Sequence, residues 1–460
     1  MKILTESNSA DRTGYKPNSS STKTTESDHF INKNFTQQGE FLGANTTGNS
    51  KYEVVSKADD GSNLYRIQNS GLLAVEWKSD YVQPNRYESK EHVDKLFEEI
   101  QLQGVSDIYI SEGTPITIKK NGDLFGITRR TIDNGEASQI LSLIVRTSAQ
   151  AQLNTGVAVN TCFTMFDVDK DKTTTLGQRA RVNFRVNASA TTIADRSSFQ
   201  IVMRAIPSEP LHYSKIGLDK EFVHKCCPTN GIVIIAGETG SGKTTTIASI
   251  IREILEGDTL IKGNILTHEE PIEFNYDTIF STHSVVNQSQ IPENFKTFMD
   301  ANREAMRRKP AAVLLGELRD EETIKAALEL ALTGHPVFGT VHSTQVSTII
   351  QRMVSRFPDA VKSTTCFDLI DCARIYISQR LVKNIRTGKL FGVREYLVFN
   401  QALRVELKKL GDPTLINNRI TEIMFESDGK GQASLNFAKQ ADLLLAQGVI
   451  DEHGYRHLTE

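Results

Sequence analysis

Between residues 214 and about 400, short apolar runs alternate with stretches whose apolar positions recur every three or four residues. That is the pattern of strands followed by helices in an α/β fold. The clearest run is 232–236, IVIIA, where four of five residues are Ile or Val. An unbroken apolar strand of this kind is buried on both faces, as in a parallel sheet. A polar loop follows, and then 245–255 carries Ile247, Ile250, Ile251 and Ile254 at helical spacing. The same reading predicts further strands at 264–267, 311–315, 337–341, 373–378 and 391–399, and helices at 294–308, 323–332 and 346–357. With the glycine-rich GETGSGKT at 237–244 between that strand and helix, the whole segment reads as a P-loop core of the RecA-like kind.

Upstream the pattern changes. Val93, Leu96, Phe97 and Ile100 predict a helix over 89–103, with Ser89 as N-cap and Gly104 as stop. Residues 116–119, Asn121-Gly122 and 124–127 read as strand, turn, strand, followed by a helix over 135–152 and strands at 162–168 and 181–187. Helix, strands, helix, strands is an α+β order. The resulting organisation is a disordered arm at 1–50, a short variable extension at 51–87, an α+β domain at 88–213, the P-loop domain at 214–400 and a helical subdomain at 401–460. In the extension, the apolar pieces 52–55 and 72–77 suggest a hairpin or an added strand. In the last subdomain, Phe437, Ala441, Leu444 and Leu445 share one helical face and Gly448 is a stop.

A length of 460 residues allows two or three domains, and a net charge of -3 gives no global field toward nucleic acid or anionic lipid. The five cysteines show no CxxC pair or metal-ligand spacing, which favours reduced thiols over a disulfide framework. Neither a signal-peptide core nor a run of 18 apolar residues occurs. The expectation is a cytoplasmic protein without a transmembrane segment, recruited to a membrane through other proteins. The acidic loop DKDK at 169–172 lacks the glycine and closing glutamate of an EF-hand, so calcium is not expected there.

The candidate chemistry starts at 237–244, GETGSGKT, between the apolar strand and its helix. Glycines there let backbone N–H groups approach phosphates, Lys243 brings positive charge, and the Thr244 hydroxyl can bind Mg²⁺. The predicted nucleotide contacts are Gly237, Glu238, Thr239, Gly240, Ser241, Gly242, Lys243, Thr244 and Thr245. ATP hydrolysis also requires a positioned water and compensation of developing charge. Glu317, after the strand AAVLL and Gly316, is the candidate for the water. Glu269, Glu270 and Glu273 follow another strand, where Mg²⁺ or an arginine must offset them. One can contact the metal through water, and another can orient Arg319 or the attacking water. His335 and His342 bracket the strand PVFGTV, and an imidazole can donate to a γ-phosphate. Arg181, Arg185 and Arg204 are either solvated on a half-exposed sheet or reach a nucleotide's phosphates from the upstream domain.

Taken in order, GETGSGKT, THEEPIEF, LLGELRDEETI and TGHPVFGTVHS resemble the Walker A, Asp, Walker B and His boxes of the secretion ATPase superfamily. That superfamily drives type II and type IV secretion and type IV pili. Upstream, GVSDIYISEGTPI, RVNFRVN and VMRAIP are similar to the N-terminal domain of its PilT-type members. The tail, ARIYISQRLV, VREYLVF and GDP, is closer to the DotB/TraJ-type branch of type IVB secretion and conjugal transfer. The resemblance spans about residues 88–450. It implies a homohexamer with a PAS-like domain ahead of the RecA-like one, ATP and Mg²⁺ as ligands, and Glu317 in the catalytic role. It also implies Asp-box and His-box roles for the glutamates and histidines, with Arg185 and Arg204 contacting nucleotide at subunit boundaries.

Two departures stand out. The helix before Walker B ends in Arg307-Arg308-Lys309-Pro310 where the family has an acidic Asp-Pro segment, and the AIRNLIRE motif of retraction ATPases is absent. Competing readings are a RecA-like nucleic-acid motor and a non-catalytic ATP-binding scaffold that recruits partners. Against the first, no aromatic-and-basic stretch is evident.

Overall fold

The computed structural model describes residues 53–460 except 59, 60, 121, 122, 146–148, 175, 194, 207 and 208. The predicted arm at 1–50 and the predicted Asn121-Gly122 turn therefore lie outside the described residues. Among the described residues the strands form two sheets. The first contains β1 (Val54–Lys57), β2 (Asn63–Arg66), β3 (Leu73–Val75), β4 (Asp107–Ser111), β5 (Thr117–Lys120), β6 (Asp123–Gly126), β7 (Val159–Phe166), β8 (Arg181–Ile193) and β9 (Arg196–Ile206). Their order is β1-β2-β3-β6-β5-β4-β9-β8-β7, so the upstream hairpins widen the sheet on its β6 side. The helices Lys90–Gln103 and Asn134–Ile144 cover this sheet through a core that includes Leu96, Phe97, Ile100, Ile140 and Phe184. Ser89 caps the first helix by accepting from His92 N, and Gly104 ends it in the left-handed region, as predicted.

The second sheet contains β10 (Gly231–Ala236), β11 (Asn264–Glu269), β12 (Val285–Gln290), β13 (Pro310–Leu315), β14 (Pro336–Val341), β15 (Ala373–Lys383) and β16 (Leu390–Val398). The order is β12-β11-β13-β14-β10-β15-β16, with only the β15–β16 pair antiparallel. Alternate residues of β10 enter opposite cores: Ile232 and Ile234 on one face, Val233 and Ile235 on the other. The unbroken apolar run is thus two alternating half-patterns, each buried isoleucine contributing roughly 1.5–3 kcal/mol. Because the strands are parallel, the loops after β10, β11, β13 and β14 all emerge at one edge, where ligands bind in such sheets.

Several elements differ from expectation. The helix predicted over 135–152 stops at Ile144, where Val145 turns to an extended conformation, and Ala149–Asn154 is a separate short helix. The helix predicted over 294–308 begins only at Phe298, because Thr297 caps it and the Asn294 side chain is occupied accepting from Gln290 N at 2.7 Å. The helix predicted over 346–357 is a 3-10 turn at Val346–Thr348 and a short helix at Ile349–Val354. Strand β12 was not predicted: VVNQSQ is an edge strand with mostly polar residues and carries no apolar signal. Past β16, the helices Gln401–Leu410, Pro413–Glu426, Phe437–Ala446 and Glu452–Thr459 make the C-terminal stretch helical, as the pattern predicts. No helix among the described residues is long and apolar enough to cross a membrane.

Candidate active site

The 237–244 loop joins β10 to the helix Lys243–Glu256. Three of its residues occupy φ values that L side chains rarely adopt: Gly237 at 151°, Gly240 at 81° and Gly242 at 83°. A Cβ on Gly237 would lie 2.4 Å from the Gln379 carbonyl oxygen and 2.5 Å from Ser241 Oγ. The helix has Gly242 as N-cap with no side-chain cap bond, so its first N–H groups have no side-chain acceptor. Lys243 is buried, and its Nζ donates to the carbonyls of Gly237 (2.9 Å) and Glu238 (2.8 Å). Burial lowers its pKa, while the carboxylates of Glu317, Glu273 and Glu238 act in the opposite direction. Ser241 Oγ is buried without a hydrogen-bond partner among the described residues. Glu238 and Thr239 are exposed at the mouth, and Thr244 and Thr245 are half-buried in the first helical turn.

The strand register brings a second group to the same edge. Gly231 pairs with Pro336 and Ala236 with Val341, so His342 follows β14 where Gly237 follows β10, and Gly237 N donates to Val341 O at 3.3 Å. Glu317 lies two residues past β13, and one oxygen of its carboxylate is 3.3 Å from His342 Nε2. Its turn is fixed from both sides: Gly316 N donates to His268 O (2.9 Å), and Thr340 Oγ1 donates to Gly316 O (2.7 Å).

Glu269 ends β11 and abuts that turn, since a Cβ on Gly316 would come within 3.4 Å of Glu269 Cα. Its carboxyl is buried and accepts from Thr267 Oγ1 (2.6 Å) and Gln288 Nε2 (3.3 Å), yet burial dominates and raises its pKa to about 7. Glu270 accepts from Arg319 Nη2 (2.9 Å), and Glu273 accepts from Arg185 Nη1 (2.9 Å). These three acids therefore divide the labour predicted for them as a group: one is held without a cation, and two are each matched by an arginine.

Arg185 and Arg204 face each other across β8 and β9, a like-charge pair that Glu273 and Asp107 offset. Arg204 Nε donates to Asp107 Oδ1 at 2.8 Å, and this bond raises its pKa. Arg181 sits farther along β8, 4.0 Å from Asp277. In this chain Arg185 is engaged by Glu273 from the second sheet's side and Arg204 by Asp107 of its own sheet, with their guanidinium groups still exposed.

His335 is not brought to this edge. It precedes β14, at the opposite end from His342, and six strand residues separate them by roughly 20 Å. Its ring nitrogen Nδ1 lies 3.3 Å from Leu330 O and 3.2 Å from Thr333 Oγ1, at the C-terminal end of the helix Glu321–Leu332. A strand bracketed by two histidines places them at its opposite ends, so of the two His-box candidates only His342 lies at the loop's edge in this chain.

Two residues were missed. Gln379 on β15 and Arg394 on β16 lie opposite each other and bond to the loop and its helix. Their segments, ARIYISQRLV and VREYLVF, stand out in the sequence, but nothing in the pattern shows that these polar positions turn inward under the loop.

The arrangement fits a nucleotide's phosphates. It offers an uncapped helix N-terminus, glycines without obstructing Cβ atoms, a lysine resting on loop carbonyls and an orphaned serine hydroxyl. Among the described residues no three His, Cys, Asp or Glu side chains gather to hold a metal by themselves. The oxygens of Thr244, Glu317 and Glu269 suit Mg²⁺, which relies on few protein ligands beside phosphates and water.

The type II/IV secretion system protein family matches residues 88–389. Among solved structures, the ATPase DotB of Yersinia pseudotuberculosis is 39% identical with a TM-score of 0.70, covering 85% of this chain and 99% of that one. DotB of Legionella pneumophila is 34% identical with a TM-score of 0.71, covering 82% and 97%. The type IV pilus retraction ATPase PilT of Pseudomonas aeruginosa is 31% identical over 302 residues, covering 66% of this chain and 81% of that protein. The loop, the two acidic turns and the histidine at one edge of a parallel sheet thus occur in a chain that belongs to the type II/IV secretion system protein family.

Proposed function

We propose that the protein is a Mg²⁺-dependent ATPase motor that powers a type IVB-like secretion or conjugative transfer system from a homohexameric ring. The observation that carries this reading is the meeting of the 237–244 loop, the Glu317–His342 pair and Glu269 at one sheet edge. The likeness to DotB ATPases over most of both chains supports the type IVB assignment. In this reading residues 214–400 are a RecA-like domain, 88–213 a PAS-like domain, and the ring works peripherally on the cytoplasmic face of the inner membrane through other proteins.

Lys243 exchanges its two loop carbonyls for the β and γ phosphates, since a charge-assisted bond to phosphate is stronger than one to a neutral carbonyl. The uncapped helix N-terminus and the loop N–H groups orient the same phosphates. Mg²⁺, held by Thr244, supplies charge neutralisation at the phosphates. Glu317 orients the attacking water and takes up its proton, and His342, 3.3 Å away, holds that carboxylate and can donate toward the γ-phosphate. Glu270 keeps Arg319 turned to the site, and Arg185 and Arg204 serve the nucleotide of a neighbouring subunit. Binding and loss of the γ-phosphate then move the two sheets as rigid bodies.

The test is phosphate release by the purified full chain. Glu317→Gln should lower turnover at least about a hundredfold while retaining nucleotide binding, and Lys243→Ala should lose both. Wild-type release from Glu317→Gln would remove that residue from the catalytic role.

A further inference from the structure

The segment that connects the two sheets is tied to the loop by side chains. Arg252 Nη1 donates to Pro210 O (2.7 Å) and Ser249 Oγ donates to Leu211 O (2.6 Å), both from the helix that follows the loop. A third tie starts at Ile216, whose carbonyl accepts from Arg394 Nη1 at 3.2 Å. Arg394 Nε donates to Gln379 Oε1 (2.7 Å), which also accepts from Thr246 Oγ1 (2.7 Å). The same Gln379 amide donates through Nε2 to Ser241 O at 2.5 Å, inside the loop. Connector, Arg394, Gln379 and loop form one unbroken series of hydrogen bonds.

The chemistry of this series is unusual for packing alone. Gln379 is 1% exposed, and Arg394 is a half-buried cation. The hydrogen bonds of Arg394 go to neutral acceptors: the Gln379 amide, the carbonyls of Ile216 and Gly392, and the Thr246 hydroxyl. A partly desolvated charge without a matching carboxylate costs stability, and an apolar pair of similar volume would fill the space at less cost. What the polar pair provides is geometry. Hydrogen bonds weaken outside a narrow range of distance and angle, so a shift of about 1 Å at Ile216 breaks its bond to Arg394, the first link of the series.

We propose that Gln379 and Arg394 are positioning residues that couple the connector between the two sheets to the conformation of the 237–244 loop. Arg394 senses where the connector lies at Ile216, and Gln379 sets the orientation of the Ser241 peptide accordingly. The loop accepts phosphates well only when the connector is seated. This rests on the reading of that loop as the nucleotide site.

The test uses the full chain with Gln379→Glu and Arg394→Lys. The first keeps the acceptor for Arg394 and Thr246 but sets a carboxylate oxygen against Ser241 O. The second keeps the charge but cannot span Gln379 and Ile216 together. Each should raise both the KM for ATP and the Kd of a non-hydrolysable ATP analogue roughly tenfold, with kcat changed less than about threefold. Amide hydrogen exchange at 239–246, measured without nucleotide, should quicken in both, with the thermal midpoint kept within a few degrees. Because the two act in series, the double variant should be no worse than the poorer single variant.

Wild-type Kd and wild-type loop exchange in either variant, or additive losses in the double variant, would overturn the coupling. Lys243→Ala separates the two claims. If it binds the analogue normally, the nucleotide reading fails, and loop exchange still decides the coupling.

Discussion

Glu269 is the residue whose environment and proposed task conflict most. Two donors, Thr267 Oγ1 and Gln288 Nε2, favour its carboxylate, but burial outweighs them and raises its pKa from 4.5 to about 7. A carboxyl raised in the folded state adds stability that is complete below about pH 4.5 and is lost as the pH climbs through about 7. Glu269→Gln imitates the protonated form at every pH. In the absence of nucleotide, the variant's melting temperature minus that of the wild type should therefore grow by a few degrees between pH 5 and pH 8, corresponding to on the order of 2 kcal/mol. Thermal melts at the two pH values measure it, and a pH-independent difference would contradict the burial argument. Glu270 and Glu273 are each matched instead by an arginine. The sequence shows three acids after a strand, and cannot show that one ends the strand facing inward while the others meet cations from elsewhere in the chain.

At the scale of elements, the strand–loop–helix unit is where pattern and structure agree most closely. The run 232–236 became β10 with one added residue, and the helix runs from the loop's Lys243 to Glu256, two residues earlier and one later than its pattern. Both signals are local: an apolar run too uniform for a half-exposed strand, then isoleucines at helical spacing. The glycines between them differ in what they resist. Gly237 needs both its φ and its missing Cβ, because that atom would overlap the Gln379 carbonyl, whereas Gly240 needs only its φ and faces open space. Gly240→Ala should therefore cost only about 1 kcal/mol of stability. Gly237→Ala should cost about 2–3 kcal/mol and weaken binding at least about tenfold, because β15 backbone must move. Chemical unfolding and analogue titration of both variants test the contrast, and equal losses would mean that strain alone matters. Gln379, the neighbour that makes this difference, comes from a strand more than a hundred residues later. Edge strand β12 was likewise illegible, because its pairing with β11 is made by backbone and leaves no apolar imprint.

At the scale of the whole molecule, the question is which subunit uses Arg185 and Arg204. Both are cross-strand neighbours on the first sheet, and within this chain Glu273 from the second sheet's side and Asp107 of the first already occupy them. Arg185 is exposed and Glu273 half-buried, so their bond is a surface ion pair worth about 0–1 kcal/mol, readily given up for a phosphate. A ring supplies that phosphate from the neighbour, and a mixing experiment can tell. Arg185→Ala alone should lower phosphate release by about a hundredfold or more, as removal of a phosphate-facing arginine does. Lys243→Ala alone should be equally inactive.

If Arg185 acts on the adjacent subunit's nucleotide, rings assembled from both variants contain sites in which an intact Lys243 faces an intact Arg185, and release should recover to a substantial fraction of wild type. If it acts within its own subunit, every site in the mixed ring lacks one of the two, and mixing restores nothing. Native mass spectrometry of the mixture, with and without ATP analogue, must first show a mixed hexamer. A mixed hexamer without recovered turnover would assign Arg185 to its own subunit and remove it from the proposed action across the subunit boundary.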